Sequence, residues 1–227
     1  MVITIDGPAG TGKSTVANAV AERLSFDFLD TGAMYRAVGL AAIRREIDLQ
    51  DTRELTFIAR LTRLEFDWSH HPPKLLLNGE PVGHLLRASD CTRAASFVAV
   101  VPAIREMLVA QQRQIGLDRG NVVTEGRDQG SVVFPNAELK IYLDAAPQER
   151  ARRRVAQLRS RGEIVDYNEV LSGIVVRDKR DATRPVGPLT VPPDAAVIDS
   201  TDLTEPQVVD LIVARAEALR VPAGTSS

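Results

Sequence analysis

Apolar and polar residues in this chain alternate between two kinds of segment. Short uninterrupted apolar runs at residues 2–5, 121–125, 139–143 and 195–199 read as strands buried on both faces. Helical segments separate them, at about 15–24, 34–45, 101–116, 147–161, 168–180 and 205–219. Thr204, ahead of Glu205-Pro206, is a natural cap for the last one. Strands alternating with helices predict an α/β domain, a parallel sheet covered on both faces. Ligands in such sheets bind beyond the carboxyl ends of the strands, where these runs end in Gly126-Arg127-Asp128, Asp144 and Ser200. Residues 64–68 and 74–77 break the rhythm. His70-His71-Pro72-Pro73 separates them and the hairpin-type pair Asn78-Gly79 follows, which predicts a small antiparallel insertion over about 62–92. With no internal repeat or low-complexity linker, the insertion embellishes one domain rather than founding a second.

Composition narrows the partners. The 227 residues are 44% apolar and 26% charged, enough for a sizeable core, and the formal net charge is −2. That balance offers no general attraction to nucleic acid or to a membrane surface, so any anion site must come from local arrangement. The one cysteine, Cys91, excludes an internal disulfide and fits a reducing compartment. No apolar run reaches spanning length, and the chain enters a strand at once, leaving no room for a signal peptide. The expectation is a cytoplasmic protein with a disordered tail at 221–227. His70, His71 and His84 lack metal-ligand spacing and read as loop residues.

The chemistry starts after the first strand. Gly7-Pro8-Ala9-Gly10-Thr11-Gly12-Lys13-Ser14 is a complete P-loop, preceded by a strand and followed by a helix. Its backbone N–H groups curl around phosphate oxygens at the positive end of a helix dipole. Lys13 is placed to reach the β- and γ-phosphates and the Ser14 hydroxyl to sit on Mg²⁺, partly through water. A P-loop alone does not separate switch, motor and kinase. The guanine-reading Asn-Lys-x-Asp of switch GTPases is absent, and neither Leu143-Asp144 nor Thr124-Glu125 carries the acidic pair of a motor ATPase. Arginine-bearing motifs are present instead. In 30–36, Thr31 can cap a helix from which Arg36 forks onto a phosphate. In 125–130, glycines flank Arg127 and Asp128, and in 177–184, Arg177, Asp181 and Arg184 share one helix face. Residues 150–161 add a further basic stretch.

Taken in order, these motifs resemble bacterial cytidylate kinase, of the nucleoside monophosphate kinase group. The residues that carry the resemblance are Ile5 through Ser14, Asp30 through Arg36, Glu125 through Asp128 with Val132 through Pro135, and Arg177 through Arg184 with Pro188-Leu189. They run in family order over about 2–215, with Gln129 standing where an apolar residue is more usual. The resemblance implies a P-loop kinase fold: a parallel β-sheet flanked by helices, a small antiparallel insertion and a helical lid. One domain would span 1–220, with its core at 1–32, 97–150 and 185–220, an acceptor-nucleotide-binding region at 33–96 and the lid at 151–184. It further implies transfer of the γ-phosphoryl group of MgATP to CMP or dCMP by a monomer. ATP would lie on Gly7, Pro8, Ala9, Gly10, Thr11, Gly12, Lys13, Ser14 and Thr15. Arg36, Arg127 and Arg184 would hold the acceptor phosphate, and Thr31, Tyr35, Arg177 and Asp181 would line the acceptor site. Ser96, Arg105 and Asp128 match the cytosine pocket, where Asp128 or Ser96 can accept from the cytosine amino group and Arg105 can donate. Lys13, Arg127 and Arg184 are the implied catalytic residues.

Overall fold

Residues 1–220 are described by a computed structural model, and the tail expected at 221–227 lies outside the described residues. The chain begins with β1 (Val2–Asp6), α1 (Lys13–Leu24), β2 (Asp27–Asp30) and α2 (Thr31–Ile43). It continues through α3 (Thr52–Leu61), β3 (Leu64–Asp67), β4 (Lys74–Leu77), β5 (Glu80–Pro81), α4 (Ser89–Val98) and α5 (Pro102–Arg119). The remainder is β6 (Val122–Gly126), β7 (Leu139–Asp144), α6 (Pro147–Arg159), α7 (Tyr167–Thr183), β8 (Ala196–Asp199) and α8 (Glu205–Arg220). The main sheet has the strand order β2-β6-β1-β7-β8, and β3-β4-β5 form a small separate sheet. Among the described residues no single helix is long and apolar enough to cross a membrane.

The chain divides into two compact units. One comprises residues 1–26 and the described chain from Val123 onward; the other is Asp27–Val122. In the first unit β1 pairs in parallel with β7, Ile3 opposite Leu139 and Ile5 opposite Ile141, and β7 pairs with β8, Leu143 opposite Ile198. Ile3, Ile5, Ile141 and Leu143 are buried, as expected of a strand covered on both faces. The apolar faces of α1 and α8 pack together, and Arg23 reaches Asp210 across them at 3.0 Å. Where β1 ends, Gly7 takes φ +148°, and a Cβ there would lie 2.0 Å from the Leu143 carbonyl oxygen. Only glycine lets the loop leave the sheet at this point. After β6 the chain makes one π-helical turn, Gln129–Val133.

In the second unit, Asp30 at the end of β2 caps α2 by accepting from the Ala33 N–H at 2.7 Å. The cap expected at Thr31 is thus displaced by one residue: Thr31 opens the helix and is buried. Asp30 stands at the extended strand end, and from there its carboxylate reaches the free Ala33 N–H directly. α2 is apolar nearly all round and packs on α4 within a core that includes Met34, Val38, Leu55, Leu77, Val98 and Ile104. β3 and β4 pair antiparallel, Leu64 opposite Leu77 and Phe66 opposite Leu75, and β5 continues the sheet. Asn78 and Gly79, both at positive φ, make the turn between β4 and β5. The elements β2, α3 and α4 add to those the sequence predicts.

Candidate active site

Strand β1 delivers the P-loop in the first unit. Lys13 opens α1, and Gly12, its N-cap, is at φ 90°. The Lys13 ammonium donates to the Pro8 carbonyl at 2.6 Å and lies 3.5 Å from Thr11 Oγ1. Burial pushes its pKa down to about 7, with Arg127 adding to that and Glu125 and Asp6 opposing it. Ser14 Oγ donates to Glu125 Oε1 at 2.7 Å, which ties the first turn of α1 to the end of β6. Thr15 is exposed on that first turn.

Asp6, next to the loop, holds the turn after β6. Its Oδ1 accepts from the Gln129 N–H at 2.8 Å and its Oδ2 from the Gly130 N–H at 2.7 Å. Burial raises its pKa to about 6 against those two hydrogen bonds. Gln129 is itself buried, and its Oε1 accepts from Thr124 Oγ1 at 3.0 Å, so the polar side chain at this position is satisfied inside the core.

The turn held by Asp6 carries Arg127 and Asp128, which face the end of α7. Arg127 Nε donates to Asp181 Oδ2 at 2.7 Å, and Arg177 lies 4.0 Å from the same oxygen. Burial opposes the Arg127 charge, but Asp181 outweighs it and raises the guanidinium above its ordinary value. Burial likewise opposes the Asp181 charge, yet Arg127, Arg177 and Arg184 hold that carboxyl below the usual range. Arg184, just past α7, is buried 3.5 Å from Asp128, and its Nε donates to the Gly187 carbonyl. Six of the predicted residues therefore converge in one unit: Lys13, Arg127, Asp128, Arg177, Asp181 and Arg184.

The remaining residues expected at the acceptor site lie in the second unit. Arg36 pairs with Asp30 at 3.0 Å, so one carboxylate both caps α2 and aims the arginine on its second turn. Arg105, on the first turn of α5, is buried with its guanidinium 5.7 Å from the centre of the Tyr35 ring, and its Nη1 lies 3.5 Å from the Ala99 carbonyl. Ser96 on α4 donates to the Thr92 carbonyl of its own helix at 3.3 Å. Thr31, Tyr35, Arg36 and Arg105 are all half-buried or buried.

Sequence reasoning left Asp6, Glu125 and Arg150 without a role. The signal for Asp6 and Glu125 was there: each is a carboxylate closing an apolar run next to a glycine. Arg150 gave no such signal: it is one arginine of a basic stretch, and nothing in the sequence marks it as the one whose side chain is buried.

A family model described as cytidylate kinase matches residues 3–218. The cytidylate kinase of Pelotomaculum thermopropionicum is 47% identical over 219 residues, covering 96% of either chain. That of Caldanaerobacter subterraneus subsp. tengcongensis is 44% identical over 218 residues, 96% of this chain and 94% of its own. Among solved structures, an uncharacterized protein from Eubacterium ventriosum aligns with a TM-score of 0.54 at 11% identity, over 96% of this chain and 99% of that one. That likeness is one of fold alone.

Proposed function

The chain belongs to the cytidylate kinase family of phosphotransferases, and from that premise we propose that it transfers the γ-phosphoryl group of MgATP to CMP or dCMP, giving ADP and CDP or dCDP. The observation that carries this reading is the concentration of cationic side chains around the P-loop unit's acidic anchors. Lys13, Arg127, Arg177 and Arg184 gather with Asp128 and Asp181, with no nucleophile–base pair among the groups placed there. The acceptor is a phosphate oxygen, already anionic near neutral pH, so the reaction needs no general base.

The obstacle is electrostatic. Two unit charges 4 Å apart repel by about 4 kcal/mol at an effective dielectric near 20, and several phosphate oxygens must meet. In this reading the loop Gly7 through Thr15 grips the donor phosphates, chiefly through the N–H groups after Pro8, and Lys13 follows the charge on the group in transit. Arg36, Arg127 and Arg184 hold the acceptor phosphate. Arg177 and Asp181 serve the ribose side, with Thr31 and Tyr35 lining the acceptor site. Cytosine presents a donor at its amino group and acceptors at N3 and O2. Asp128 or Ser96 meets the donor and Arg105 the acceptors. Uracil reverses that polarity and leaves buried groups mismatched, a cost of about 1–3 kcal/mol per group.

The residues at the head of α1 suit Mg²⁺. Ser14 Oγ and Glu125 Oε1, in hydrogen-bond contact at 2.7 Å, are hard oxygen donors of the kind that ion takes. Ser14 would hold the ion, with water completing its shell, and when bound it would neutralise charge on the β- and γ-phosphate oxygens. The helices from 151 to 184 act as a lid that keeps water from the phosphoryl group. The same reading takes the chain as a monomer working in the cytoplasm, consistent with its single, buried cysteine.

ADP release over a panel of acceptors tests the reading. CMP or dCMP should stimulate release far above ATP alone, with UMP, AMP and dTMP well behind. Equal release with and without any monophosphate overturns it.

A further inference from the structure

Arg150, on the first turn of α6, is only 3% exposed and has no place in either the loop motif or the acceptor set. Its Nε donates to the Ala145 carbonyl at 2.8 Å, in the turn after β7. Its Nη1 donates to the Ala9 carbonyl of the P-loop at 3.0 Å and to Asp178 Oδ2 on α7 at 2.6 Å. A planar guanidinium fixes the directions of its N–H groups, so three segments distant in sequence are set against one rigid fork. The loop also rests on this residue sterically. Gly10 is at φ +84°, and a Cβ there would lie 3.3 Å from Arg150 Cβ and 3.4 Å from its carbonyl oxygen. The other oxygen of Asp178, Oδ1, is buried without a hydrogen-bond partner, so the carboxylate is committed to Arg150. α6 and α7 pack on each other, and α7 carries Arg177 and Asp181 and ends at Arg184.

We propose that Arg150 is a positioning residue that locks the P-loop and α7 into one arrangement through Ala9 and Asp178, so that donor-phosphate contacts and acceptor-side arginines are presented together. The proposal deepens the kinase reading and rests on it for its catalytic consequence. Its consequence for ATP affinity stands without an acceptor.

The test is ATP binding by titration calorimetry in Arg150→Met, Asp178→Ala, Asp178→Asn and the Arg150→Met/Asp178→Ala double variant, each checked by thermal unfolding. Arg150→Met should weaken ATP about tenfold, the loss of a charge-assisted hydrogen bond. Asp178→Ala, which touches no loop atom, should weaken it about fivefold, and the double variant should be no weaker than Arg150→Met, because both act through one contact. Asp178→Asn keeps an acceptor for Arg150 and should bind ATP within about threefold of wild type. An unchanged ATP affinity in Asp178→Ala, or single effects that multiply in the double variant, overturns the proposal. If Arg150→Met loses its cooperative unfolding, Arg150→Lys paired with Asp178→Ala decides by the same two criteria. A wild-type protein that binds ATP but ignores CMP would refute the kinase reading and leave these comparisons intact.

Discussion

Burial drives the Lys13 ammonium down to about 7, with Arg127 helping and Glu125 opposing, so near pH 8 most of the free protein carries this lysine neutral. Triphosphate oxygens favour the charged form, so ATP binding at pH 8 should take up to about one proton. Calorimetry in buffers of different ionisation enthalpy reads this directly, and no proton uptake at pH 8 would refute it. The same shift sets a sign for stability. Between pH 7 and 10.5 the unfolded lysine binds more protons than the folded one, so the Lys13 contribution grows as pH rises through that window. Asp6 behaves in the opposite sense: its folded value of about 6 lies above 3.8, so its contribution, present at low pH, falls as pH rises between them. Arg184 is buried against Asp128, and in the proposed reaction it meets the acceptor phosphate and the group in transit. Arg184→Ala should therefore lower kcat by about a hundredfold or more while raising the KM for CMP far less. Steady-state kinetics with an unchanged kcat would remove it from the transition state.

At the scale of elements, the P-loop was legible because its residues are contiguous and both flanks follow the expected pattern. Helix α2 was legible as a helix but not in its start. Asp30 and Thr31 are both competent caps, and only the extended backbone at Asp30 decides between them. α3 escaped notice although Asp51 accepts from the Arg53 and Glu54 N–H groups, a capping pattern readable as Asp-x-x-Glu. α4 had no such mark. It is rich in Ser, Thr, Cys and Asp, has no side-chain cap, and forms because Cys91, Ala94 and Val98 bury against their surroundings. The Asp30 cap gives a test at this scale. Asp30→Ala removes the cap and the partner of Arg36 together, and should cost about 1–2 kcal/mol in urea unfolding. It should also raise the KM for CMP, and a variant equal to wild type in both would separate Asp30 from the acceptor site.

For the whole molecule, a formal charge of −2 conceals a cluster of paired arginines and carboxylates built from residues far apart in sequence. The arginines of 177–184 were readable as one helix face, yet their partners on the turn after β6 were not, since that contact spans 54 residues between Arg127 and Asp181. The pairing of Arg150 with Asp178 was hidden for the same reason, the two positions standing 28 residues apart. Family order supplied an expectation that local pattern lacked, that separate arginine motifs serve one acceptor. The central claim is therefore about where the phosphoryl group goes. ATP labelled at the γ-phosphoryl group, turned over with CMP and then with water as the only acceptor, tests it most directly. Label should enter CDP at a rate well above its release as free phosphate; label released only as free phosphate, whether or not CMP is present, would rule out transfer to the nucleotide.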